Sequence, residues 1–391
     1  MIPNKELQPP RSWWMPMACI VIGCAFLFGA MIGPAGPVWW RVPGELLDHL
    51  PWINVHSGAS KLESTVLWQI RMPRVVLAGI VGAMLSLAGA SFQGVFRNPL
   101  VDPYLLGVAG GAGLGATVVI VTGRAASSSW LIDPLPLAAF IGGLLAVLVT
   151  YSVGTAFGSS KTSSATLVLA GVAVTSLVTA VQTFMLQRNT DVVRQVYSWI
   201  LGRLSTATWS DVRLVLPYVL ISSGVLLWHR RLLDVLRVGD DEAQSLGARV
   251  TRIRLTVVIA ATLGTAAVVS VSGLIGFVGI VVPHVVRLLA GSSYRRILPL
   301  TVLLGAAFLI IADIPGRILS KCFSPLRSRV NSTSALLFTR SMADAISGPP
   351  SGSATNMIHV VATTPSCKET SVPAHSRMPV TLIPTGRLAD S

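Results

Sequence analysis

The chain has 391 residues, of which 52% are hydrophobic and only 12% charged, with a mean hydropathy of +0.68. Soluble domains carry roughly 25% charged residues, so this composition excludes an ordinary soluble domain and indicates an integral membrane protein. The formal net charge of +14 calls for no nucleic acid, because much of it lies in loops that the positive-inside rule places on the cytoplasmic side.

A membrane span needs roughly 20 predominantly apolar residues. The polar segment MIPNKELQPPR precedes a first apolar run from about Trp14 to Ile32. No small-x-small cleavage site closes that run, so it is expected to be an anchor span and not a cleaved signal, with residues 1–13 in the cytoplasm. Residues 34–70 read as an exterior loop with interfacial tryptophans at 39, 40, 52 and 68. The sequence RMPR (71–74) opens a second span, Val75 to Phe96, and the turn RNPLVDP leads to a glycine-rich third from Tyr104 to about Val121. Spans from about Leu137 to Phe157, Ala165 to Leu186 and Val212 to Trp228 follow, the first two joined by the turn GSSKTSS.

Residues 230–254 form the longest polar segment between apolar blocks and hold six arginines, at 230, 231, 237, 249, 252 and 254. Asp240 or Asp241 can cap a short helix there, Glu242 suits its first turn, and Gly247 can end it. Such a loop is either merely solvated or a handle for a cytoplasmic partner. Leu255 to Val286 carries no Asp, Glu, Lys or Arg, which suggests a span, a bend at VSGLIG (271–276) and a second, shorter span. Leu298 to Ala312 makes a ninth. Lys and Arg placement puts the N-terminus inside, and nine spans leave the C-terminus outside.

Four cysteines (19, 24, 322 and 367) have no metal-ligand spacing, and no disulfide framework is implied. GGAGLGA (110–116) lies inside an apolar span and reads as a close helix-packing surface, not a phosphate cradle. GSSKTSS lacks the glycine spacing of a phosphate loop. His284 lies within an apolar stretch beside Pro283, where it can line a pathway or bond a freed carbonyl; the structural role is favoured. The spans hold no paired carboxylates, so energy for transport should come from outside the chain. Arg71 and Arg74 share a helix face at the outer mouth of the second span, suited to docking an acidic partner or to interfacial anchoring.

The blocks RMPRVVLAGIVGAMLSLAGASFQGVFRNPLVDPYLLGVAGGAGLGA, LVLAGVAV, VGDDEAQSLG and GFVGIVVPHVVRLLAGSSYRRILPL, in that order, resemble the FecCD-type permease subunits of ABC importers for iron–siderophore complexes, haem and cobalamin. The likeness covers about residues 65–317. It implies an all-α fold of nine to ten transmembrane helices of the type II importer kind, without a cofactor or catalytic residues of its own. It also implies a second permease subunit (a copy or a paralogue), two cytoplasmic ATP-binding subunits, an extracytoplasmic binding protein and an inner-membrane location. The loop 230–254 matches the family's ATPase-coupling helices, with Gly239, Asp240, Glu242, Leu246 and Gly247 as the contact region. Arg71, Arg74 and Arg317 match arginines that dock the binding protein. After Arg317 the chain departs from the family pattern. The expected tenth span is missing, and residues 318–391 read as a disordered, Ser-, Thr- and Pro-rich tail, as a reading-frame shift near 318–330 would produce. A stand-alone secondary transporter and a non-functional truncated permease are the competing readings.

Overall fold

A computed structural model describes residues 13–33, 39–48, 58–123, 133–156 and 164–318 of the chain. The expectations for residues 1–12, for most of the 158–164 turn and for the tail beyond Ile318 lie outside the described residues. All described residues belong to one compact unit within Met1–Ser320.

Among the described residues the chain is all-helical, with seven helices long and apolar enough to cross a membrane and two shorter apolar ones. In chain order they are α1 (Trp14–Met31), the short α2 (Val42–Asp48), α3 (Lys61–Phe96), α4 (Val108–Val121), α5 (Pro134–Ala156) and α6 (Ser164–Arg188). Then come α7 (Val193–Ile200), α8 (Trp209–Trp228), α9 (Arg230–Leu236), α10 (Asp240–Ser245), α11 (Val250–Ser272), α12 (Val278–Ala290) and α13 (Tyr294–Ile318). The nine apolar stretches match the nine expected from hydropathy, but their ends differ for local reasons.

The start of α3 lies fourteen residues before the expected Val75. A capping box begins it: the Ser60 hydroxyl accepts the Glu63 N–H at 3.2 Å, and the Glu63 carboxylate accepts the Ser60 N–H at 2.8 Å. The polar residues that read as loop are the first turns of a long helix. A π turn at Leu67–Arg71 accommodates Pro73, with Met72 N–H bonding five residues back to Leu67. In that register Pro73, lacking an N–H, leaves the Trp68 carbonyl to another donor, and the Trp209 indole N–H reaches it at 2.8 Å.

The end of α3 is marked by Arg97, held at φ 52°, in the left-handed region that L-residues rarely adopt. Residues Pro103–Leu106 form a 3₁₀ turn capped by Asp102, and Gly107 at φ 91° separates it from α4, so the third apolar helix starts four residues later than expected. Likewise α11 stops at Gly273 (φ 74°) and α12 starts after Phe277 (φ 67°), so the break covers 273–277, shifted one to two residues beyond the expected bend at 271–276. The Tyr104 hydroxyl satisfies this interrupted backbone, donating to the Ile275 carbonyl at 3.0 Å and accepting the Ile275 N–H at 3.3 Å.

The two most buried spans are α3 and α11, with the other helices around them. Small residues make this possible. A Cβ added at Gly82 would meet the Gly305 carbonyl, and one at Gly89 would meet that of Gly279. Beside Gly82, the Ser86 hydroxyl bonds the Thr301 carbonyl of α13 at 2.7 Å. The GGAGLGA stretch packs as expected: Gly111 lies on the Gly142 carbonyl and Gly115 on that of Ala138, bringing α4 and α5 into backbone contact. His284 differs from expectation. It is exposed on α12, which departs from the favoured structural role and leaves the pathway-lining alternative.

Candidate functional site

Two clusters of charged residues sit at opposite ends of the helices. The first is built on the basic loop. Instead of one helix, the loop folds into two short ones, α9 and α10. Gly239 at φ 131° and Gly247 at φ 81° flank α10, conformations that favour glycine. At Gly239 a Cβ would also strike the carboxylate of Glu242, which folds back over it. Ala243 is buried and fixes α10 against the chain, while Glu242, Gln244 and Leu246 face outward, Leu246 with 72% of its surface exposed.

The predicted contact residues therefore divide. Glu242, Leu246 and Gly247 are exposed and Gly239 is a turn point. Asp240 differs from the expectation in two ways. It does not cap α10, because Gly239 occupies that position and no side chain bonds there. Its carboxylate also turns inward, lying 3.1 Å from the Arg97 guanidinium at the end of α3 and 3.1 Å from that of Arg254 near the start of α11. Asp234 of α9 was not singled out from the sequence. It accepts the Ser293 hydroxyl at 2.8 Å, the Tyr294 N–H at 2.7 Å and the Arg295 N–H at 3.4 Å, capping the start of α13. Arg237 adds a bond to the Ser292 hydroxyl at 3.0 Å.

The second cluster brings together the three arginines predicted to dock a partner, though not as free surface cations. Arg71 is 5% exposed and donates to the carbonyls of Ala30 and Met31 at 3.2 and 3.3 Å. Arg317 is 2% exposed and donates to those of Gly29 and Ile32 at 2.7 and 3.3 Å. Both thus sit on the last turn of α1, where carbonyls lack helical partners and the helix dipole is negative. Arg74 and Arg317 share Asp313: Arg74 reaches its two oxygens at 2.8 and 2.6 Å, and Arg317 lies 2.7 and 2.6 Å from Oδ2. Only Arg74, its side chain 20% exposed, is partly open to solvent. Asp313 lies four residues before Arg317 on α13, a spacing that carried this pairing as a signal.

Between these ends, α6 shows a polar face whose Thr175 and Thr183 hydroxyls donate to the Gly171 and Thr179 carbonyls of the same helix. Thr175, Ser176, Thr179, Thr183 and Gln187 line a shallow groove of about 600 Å³. The hydroxyls recur every four residues, one helical face. Among the described residues no group of His, Cys, Asp and Glu could hold a metal ion.

The FecCD transport family profile matches residues 18–338. The chain belongs to the FecCD transport family. It is 40% identical over 260 residues to a cobalamin import permease of Halobacterium salinarum, covering 66% of this chain and 69% of that one. It is 31% identical over 338 residues to an iron(3+)-hydroxamate import permease of Bacillus subtilis, covering 85% and 84%. A solved inward-facing structure of a transporter assigned to the metal-chelate ABC class superposes with a TM-score of 0.67 at 25% identity, covering 83% of this chain and 96% of that one. The family match extends beyond residues 65–317 in both directions. As a FecCD member with these spans, the chain is a multi-pass protein of the cytoplasmic (inner) membrane.

Proposed function

We propose that this FecCD chain is the membrane-spanning subunit of an ABC importer for a ferric siderophore or related iron complex, and that it carries out no bond chemistry itself. A second permease subunit, a copy or a paralogue, completes the translocation path, with the hydroxyl face of α6 lining it. Two ATP-binding subunits sit beneath, and α10 with its exposed Glu242, Leu246 and Gly247 is the part they contact. Closure of the ATPases displaces α10 and reorients the spans. A binding protein docks at the outer end, reaching Arg74, while Arg71 and Arg317 brace that surface from within. Lipid covers the apolar outer faces.

The observation that carries this reading is α10 itself. It is an exposed helix held between two glycine turns at the end of the bundle opposite the Arg71–Arg74–Arg317 cluster, in a chain whose relatives are importer permeases. The 40% identical cobalamin permease supports cobalamin as the second reading for the cargo. The test is co-expression with the ATPase encoded beside this chain. Equimolar co-purification, lost when residues 239–247 are replaced by a Gly/Ser linker, is expected. A well-folded chain that never binds the ATPase would refute the reading. Uptake of radiolabelled ferric hydroxamate against radiolabelled cobalamin then separates the cargoes.

A further inference from the structure

We infer that Asp234 and Arg97 are positioning residues for coupling: through them a displacement of the loop reaches α13 and α3. The inference rests on the coupling role proposed for α10.

Helices α9 and α10 have seven and six residues. Helices this short are marginal on their own and hold their shape only through outside contacts. The glycines flanking α10 leave its ends free to turn, so a push on α10 alone would swivel it without moving a span. Two ties prevent this. Asp234, on α9, holds the first turn of α13 through two backbone N–H groups and the Ser293 hydroxyl. Asp240, on α10, holds Arg97 at the end of α3 and Arg254 near the start of α11.

Both ties are charge-assisted; the Asp234 carboxylate is 20% exposed, whereas Arg97 lies at the surface and its pair with Asp240 is supported by the more buried Arg254 on the same carboxylate. They also attach to backbone that can transmit. The N–H groups that Asp234 accepts open a 25-residue helix whose other end carries Asp313 and Arg317. Arg97 terminates α3, whose other end carries Arg71 and Arg74. The two ties thus connect the loop with the two spans that form the outer cluster. Asp234 lies on α9 and Arg97 at the end of α3, outside α10 itself, and Asp240 keeps Arg254 when Arg97 is changed, so co-purification reads whether the ATPase contact survives each substitution.

The test uses the assembled importer of this chain, its ATPase and its binding protein in proteoliposomes, with radiolabelled ferric hydroxamate and, in parallel, radiolabelled cobalamin as probes. The readout is cargo delivered per ATP hydrolysed. Asp234→Asn removes the charge and one acceptor oxygen, and Arg97→Ala removes the α3 partner of Asp240. Each is expected to co-purify with the ATPase and lower the ratio about tenfold, the size of a typical coupling energy. Asp234→Glu, which keeps the carboxylate, should recover most of it. A residue needed only for folding would lower yield and leave the ratio of the surviving complex unchanged. Wild-type ratios in both Asp234→Asn and Arg97→Ala would overturn the inference. Failure of the unmodified chain to bind the ATPase would instead refute the proposed function.

Discussion

Replacing Asp313 with alanine should destabilise the protein by about 3 kcal/mol, the lower end of the cost of breaking a buried ion pair. The lower end applies because Arg74 is one-fifth exposed and solvent screens part of its charge. Four nitrogen–oxygen contacts of 2.6–2.8 Å disappear in the variant, and the Arg317 side chain, 2% exposed, loses its Asp313 partner without gaining access to water. At 1.4 kcal/mol per tenfold, the folded population relative to unfolded falls about 150-fold. Reversible unfolding in mixed micelles would measure this. The double variant Asp313→Ala/Arg317→Ala should be less destabilised than the sum of the singles, since it removes the buried Arg317 charge and leaves only the partly solvated Arg74 without its carboxylate. A loss under about 1 kcal/mol, or strict additivity, would show that the cluster is not a buried, interdependent unit.

Tyr104→Phe should cost about 1 kcal/mol, because the Ile275 carbonyl and N–H both lose their hydroxyl partner in a half-buried break; the same unfolding assay reads it. Gly111→Ala should cost about 1–3 kcal/mol by forcing α4 from α5. Gly224→Ala, where no atom lies within 4 Å, should instead be neutral or stabilise α8 by up to about 1 kcal/mol. Equal effects at the two glycines would contradict the packing assignment. With all four native cysteines (19, 24, 322 and 367) replaced, Thr179→Cys in the intact importer should react with a membrane-impermeant thiol reagent and Val257→Cys should not, since Val257 is fully buried. An unreactive Thr179→Cys would remove α6 from the path.

Hydropathy located the nine apolar helices because each is a run with few charges, and burial of such runs in lipid needs no partner to be recognised. It misplaced the start of α3 because Lys61 and Glu63, in the segment before RMPR, read as loop. The Ser60–Glu63 capping box was visible in the sequence, but the carbonyls of Gly29 and Ala30 that accept Arg317 and Arg71 are remote in it, and only the fold brings them together. The same holds for Asp234. Its ligands at 293–295 lie some sixty positions away, and nothing local distinguishes it from a solvated carboxylate. The hydroxyl face of α6 was legible as a four-residue period and was passed over because each threonine is individually unremarkable in a membrane helix. Asp240 shows a local rule overridden. Its place at a helix start favoured capping, but two nearby arginines offer the carboxylate stronger partners.

The length of α3 has a mechanical consequence. Its 36 residues span about 54 Å against a hydrocarbon core of about 30 Å, so its first turns stand clear of the bilayer like a mast. Arg97 fixes the inner end beside Asp240, close to any pivot there. A tilt of about 10° about that point, over the same length, sweeps the tip near Leu62 through roughly 9 Å while the inner end scarcely shifts. On the proposed importer role, leverage of this kind would turn a rearrangement of an ångström or two at the loop end into a change of aperture at the opposite end.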